Sequence, residues 1–167
     1  TDDYTAEFNL DLPWESQVRI HVTAAVKSED ENFTQPAYFS FNTMAKPDTT
    51  APTVQSTFPA KGAQDVSRYV SAVVDFSEGM NTGGADENFT IDNGSSVSDV
   101  AWSNSDTRAT LALASPLDYN QTYTVRVDGN IEDKAGNKMG AAFEYHFTTE
   151  ILDVIPPDIA STSPAHG

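Results

Sequence analysis

The sequence predicts an all-β protein made of antiparallel β-sandwich modules that follow one another in tandem. Three observations predict it: apolar residues alternate with period two, turn signals separate the alternating runs, and segments recur at an offset of 105 residues. Alternation of this kind puts large side chains on one face of a strand and polar ones on the other, as a sheet with one wet face requires.

Val70, Ala72, Val74 and Phe76 alternate with Ser71, Val73 and Asp75. Asp99-Val-Ala-Trp-Ser103 reads as a further strand whose Trp102 anchors the core between two sheets. Ala109, Leu111 and Leu113 follow, then Tyr123, Val125 and Val127, then Phe143, Tyr145 and Phe147, each set interleaved mostly with polar or small residues. Turn signals lie between the runs: Pro59-Ala-Lys-Gly62, Asn81-Thr-Gly-Gly84, Asp92-Asn-Gly94 and Lys134-Ala-Gly-Asn137. Short strands separated by such turns indicate a sandwich or barrel. Tyr123 opens its strand six residues after Leu117, where its hydroxyl can bond back to the preceding loop as a tyrosine corner.

The repeat fixes the module boundaries. Pro52–Gly62 recurs as Pro157–Gly167 with six of eleven positions identical, and 157 − 52 = 105. Leu12, Val18, Ile20 and Val22 match Leu117, Tyr123, Val125 and Val127 at the same offset. Phe39-Ser-Phe-Asn-Thr43 matches Tyr145-His-Phe-Thr-Thr149 at 106, so one residue is inserted between the two matched segments. Residues 1–45 therefore read as the last strands of a preceding module, 48–150 as one complete module, and 156–167 as the first strand of a following one. The chain reads as a fragment of such an array. Prolines at both junctions, 46–52 and 150–157, stiffen the connection and favour a semi-rigid rod.

Composition narrows the function. Nine Lys and Arg against 25 Asp and Glu give a net charge of −16, the wrong sign for nucleic-acid backbones or anionic membranes. There is no Cys, which removes disulfides, thiolate metal sites and Cys nucleophiles. No run approaches the ~20 apolar residues of a membrane span.

The motifs resemble the bacterial Ig-like domains of S-layer and large secreted surface proteins. They are Thr50-Ala-Pro-Thr-Val54, Ser56-Thr-Phe-Pro-Ala-Lys-Gly62, Phe76-Ser-Glu-Gly-Met80, then Leu117 with Tyr123 and Val125. Asp133-Lys-Ala-Gly-Asn137 and Phe143-Glu-Tyr-His-Phe-Thr-Thr149 complete the order. The first segment departs from this pattern, carrying Ser28-Glu-Asp-Glu-Asn32 where the Asp-x-Ala-Gly-Asn loop would stand. The resemblance implies an immunoglobulin-like sandwich, an extracellular or cell-surface location, a structural or adhesive role, and no catalytic residues. No cofactor is required on this reading. The implied partners are neighbouring modules of the same chain, with a surface glycan or another surface protein as further partners and no membrane insertion. Two other readings stand beside the spacer: the accessory region of a large secreted enzyme, and a module binding glycan or protein through its apical loops.

Residue by residue, no catalytic constellation stands out. His21 and His146 fall on wet strand faces and His166 in a terminal turn, with no nucleophile elbow or phosphate loop. The Asn-x-Ser/Thr matches at Asn32, Asn88, Asn93 and Asn120 carry little weight in so polar a chain. Ca2+ is the candidate ion, because a hard cation takes several converging oxygens. In an Ig topology Asp48, Glu78 and Asp133 share one end of the module, which would face Trp14 and Glu15 of the preceding one. Asp118, Glu150 and Asp153 share the other end, facing the third module. The competing expectation is that these acids cap turns through Asx hydrogen bonds.

Overall fold

Each predicted run of alternation becomes a strand whose odd and even residues divide between core and solvent. The computed structural model describes residues 10–22, 36–158 and 161. Its nine strands are β1 (Gln17–Val22), β2 (Ala37–Asn42), β3 (Val54–Phe58), β4 (Ala72–Phe76), β5 (Phe89–Ile91), β6 (Val97–Ser103), β7 (Arg108–Leu113), β8 (Thr122–Val127) and β9 (Phe143–Thr148). The chain divides into two units, Thr1–Asp48 and Thr49–Gly167.

The second unit is a sandwich. One sheet has the order β3-β4-β7-β6 and the other β5-β8-β9, with neighbours antiparallel. That is the four-on-three division of a seven-stranded immunoglobulin sandwich of the constant type. The core lies between the sheets. Ala72, Val74, Ala109 and Leu111 come from the first, and Ile91, Tyr123, Val125, Val127, Tyr145 and Phe147 from the second. Trp102 reaches inward from β6 to pack on Phe76 and Phe89, with ring centroids 6.0 Å from each. It is the expected anchor, though only part-buried. The tyrosine corner is also present: Asp118 N–H donates to the Tyr123 hydroxyl at 2.9 Å.

Two features carry no alternation signal and were not anticipated. β5 is three residues long, preceded by a 3-10 helix at Ala85–Asn88. Residues 62–66 lie along the outer edge of β9, where Val66 and Thr149 form a parallel bridge.

The chain meets the module at opposite ends. Before β3, Thr53 N–H donates to Ser77 Oγ at 3.0 Å, and Ser77 N–H donates to the Thr53 carbonyl at 2.9 Å, beside the β4–β5 loop. After β9, Glu150 N–H donates to the Val66 carbonyl, and the Glu150 carbonyl accepts from Asn120 N–H, beside the β3–β4 and β7–β8 loops. We refer to these as the leading and trailing ends.

The first unit contains the β1–β2 pair. Gln17 faces Asn42 and Val18 faces Phe41, the same register as Thr122 with Thr148 and Tyr123 with Phe147 in β8–β9. The turn before each pair matches as well. Thr43 Oγ1 accepts from Ser16 N–H and donates to the Pro13 carbonyl. Thr149 Oγ1 accepts from Gln121 N–H and donates to the Asp118 carbonyl. Glu15 and Asn120 hold the same left-handed conformation, at φ 54° and 49°. The inner faces differ. Phe39 and Phe41 are 58% and 45% exposed, whereas their counterparts Tyr145 and Phe147 are at most 1% exposed. The Ser28–Asn32 departure, His166 and all but residues 156–158 and 161 of the third segment lie outside the described residues.

Candidate functional site

At the leading end, the β4–β5, β6–β7 and β8–β9 loops are tied by main-chain bonds. Met80 N–H donates to the Asp106 carbonyl, Asn81 N–H to the Glu132 carbonyl and Lys134 N–H to the Gly79 carbonyl. Lys134 Nζ adds an ion pair of 2.7 Å with Asp106. Glycine is required where the β8–β9 loop folds back on itself. A Cβ on Gly129 would stand 2.5 Å from the Gly140 carbonyl oxygen.

Asp133 organises the Asp133-Lys-Ala-Gly-Asn137 loop around its own carboxylate. Oδ1 accepts from Ala135 N–H and Asn137 N–H, both at 2.8 Å, and Oδ2 accepts from Asn137 Nδ2 at 2.8 Å. Gly136 sits at φ 90°, which lets the loop close. Burial pushes the Asp133 pKa up, but the hydrogen bonds from Asn137, Ala135 and Gly136 outweigh it, and the carboxyl is held below its ordinary value. The side chain is therefore a buried anion with satisfied partners.

Glu78 and Asp133, two of the acids predicted for this end, lie on the β4–β5 and β8–β9 loops, and Glu78 is half-buried. Asp48 is exposed at the end of the first unit. The acids predicted at the trailing end form no group of three that could hold a metal ion among the described residues. Glu150 Oε1 accepts from Arg68 N–H at 3.2 Å, Asp153 Oδ1 accepts from Ile155 N–H at 2.9 Å, and Asp118 contributes backbone bonds to the tyrosine corner. Turn capping by Asp side chains, the competing expectation, is what Asp133 and Asp153 display, and Asp128 outside that set does the same. Sequence reading missed the trailing-end stack of Arg68 on Tyr119 and Tyr69, with its guanidinium carbon 4.6 and 5.5 Å from the ring centroids. Nothing in the spacing of these residues signals it.

Residues 48–149 match the bacterial Ig-like domain family. The chain belongs to that family. Solved structures similar to this bacterial Ig-like chain include domains 1–6 of the surface layer protein SbsC, at 27% identity and TM-score 0.47, covering 61% of this chain and 14% of that one. The N-terminal part of the bacterial S-layer protein SbsC is 28% identical with TM-score 0.46, covering 60% of this chain and 24% of that one. The bacterial Ig-like chain thus spans less than a quarter of either relative. No curated protein matches it, and among the described residues no helix is long and apolar enough to cross a membrane.

Proposed function

We propose that this chain is a non-catalytic spacer from a large bacterial surface or secreted protein, built of bacterial Ig-like modules in tandem. The observation that carries the reading is the placement of the chain at opposite ends of the sandwich. A module threaded in this way adds its own length to the reach of the protein, whereas one with adjacent termini would hang from the chain as a side branch. The matching register and turn bonds of β1–β2 and β8–β9 support a second module of the same kind upstream. The S-layer relatives support the surface location.

The finer part of the proposal is a cation at the leading end, held by Asp48, Glu78 and Asp133. Three carboxylates would be a partial donor set for a hard ion that takes six to eight oxygens. Asp153 lies 105 residues after Asp48 and would serve the next junction in the same way.

Two experiments test these statements. Limited proteolysis of the parent protein is expected to cut in the junctions 46–52 and 150–157 and leave the span between them intact. Cleavage first inside β4, β7 or β8 would contradict the module boundaries. Calorimetric titration with CaCl2 is expected to give heat and a raised Tm that the double variant Asp48→Asn, Glu78→Gln lacks. No heat and no Tm shift at millimolar Ca2+ would remove the cation and leave the spacer.

A further inference from the structure

We infer that residues 62–66 and β9 form a mechanical clamp, so that the module bears tension applied between its ends and is not merely a length of folded chain. The inference rests on the spacer reading, because it needs load to arrive through the two termini.

Four main-chain hydrogen bonds join the segment to the strand. Gly62 N–H donates to the His146 carbonyl at 2.7 Å and Thr148 N–H to the Ala63 carbonyl at 2.8 Å. Val66 N–H donates to the Thr148 carbonyl at 3.1 Å and Glu150 N–H to the Val66 carbonyl at 2.8 Å. The two pieces of chain run parallel, as the Val66–Thr149 bridge records. Both point from the leading end towards the trailing end.

That direction decides how force acts. Tension from the preceding chain passes through β3 and draws residues 62–66 towards the leading end. Tension from the following chain draws β9 from Glu150 towards the trailing end. The strands are pulled past each other along their length, so the four bonds are loaded together and must fail together. Bonds loaded at one end of a hairpin instead open singly, each needing little more than its own modest net contribution. The side chains hold the register while this happens: Ala63 and Val66 pack against the same core as Tyr145 and Phe147. Covering the outer edge of β9 is a simpler role for the segment, since a bare edge invites aggregation, but edge cover has no preferred direction of load.

The direction of load is what the experiment varies. The chain has no cysteine, so introduced cysteines place the handles of an optical or atomic-force instrument unambiguously. Pulling the full chain between its termini is expected to give one high-force rupture for the module. Handles at Ser67→Cys and Asp153→Cys, both at the trailing end, pull the same bonds apart one after another. The expected result is a marked loss of rupture force with an unchanged melting temperature. A second variant, Val66→Pro, removes the donor to Thr148 and is expected to lower the end-to-end force selectively, leaving the Ser67–Asp153 force nearly the same. Equal forces in the two pulling directions overturn the clamp and leave the spacer standing. A module that yields without any discrete rupture in the end-to-end direction overturns both.

Discussion

Asp133 is 1% exposed yet stays ionised at neutral pH, because the donors folded around it lower its pKa more than burial raises it. Its folded pKa lies below its unfolded one, so the stability it contributes is present above the unfolded value of about 3.9 and is lost as pH falls through the folded value. Asp133→Asn keeps the size but replaces an acceptor oxygen with a donor that faces other donors. We expect it to cost about 2 kcal/mol in denaturant melts at neutral pH, by leaving part-buried N–H groups facing another donor. The gap to the unaltered chain should narrow as pH falls through the folded value, where the carboxyl is protonated as well. A gap independent of pH would contradict the buried-anion account. Two glycines give a ranked comparison. Gly129→Ala drives a Cβ against the Gly140 backbone and should cost about 2–3 kcal/mol. Gly136→Ala meets open space but keeps a φ of 90°, and should cost only about 1 kcal/mol. Thermal melts that reverse this order would refute the close-approach argument.

At the scale of elements, the β8–β9 pair and the turn before it recur in β1–β2 down to single hydrogen bonds. Thr149 is the centre of that turn, bonded through one hydroxyl to Asp118 and Gln121. Thr149→Val keeps the shape and removes both bonds. We expect a loss of about 1–2 kcal/mol, measured as a shift in the denaturant midpoint, because a part-buried N–H and a carbonyl lose their hydroxyl partner. An unchanged midpoint would mean that the turn is held by β-pairing alone. The strands that sequence made legible are those long enough to show the period. Val70 to Phe76 and Thr122 to Val127 each display three or more alternations, and their inward residues are the core. β5 was not legible because three residues contain no period, so Phe89 and Ile91 look like any apolar pair. The 62–66 segment was hidden for a different reason, since its pairing with β9 is made by backbone groups that any residue carries. The end of the module that carries Glu78 and Asp133 was legible because topology, once inferred, assigns loops to ends. The trailing-end acids were assigned by the same logic, but each binds a nearby backbone N–H or lies exposed, and they do not converge.

For the whole molecule, a net charge of −16 and sheets that present polar outer faces keep the protein in solution and away from polyanions. On the proposed spacer reading, threading each module from one end to the other gives an array whose length grows with module number, and the prolines of the junctions set its stiffness. The most direct test is small-angle X-ray scattering on a series of chains holding one, two and three consecutive modules. The account predicts a maximum dimension that rises by a constant increment per module, with a cross-section that does not change. A maximum dimension that levels off while the cross-section thickens would show modules folding back on one another, and would contradict the spacer.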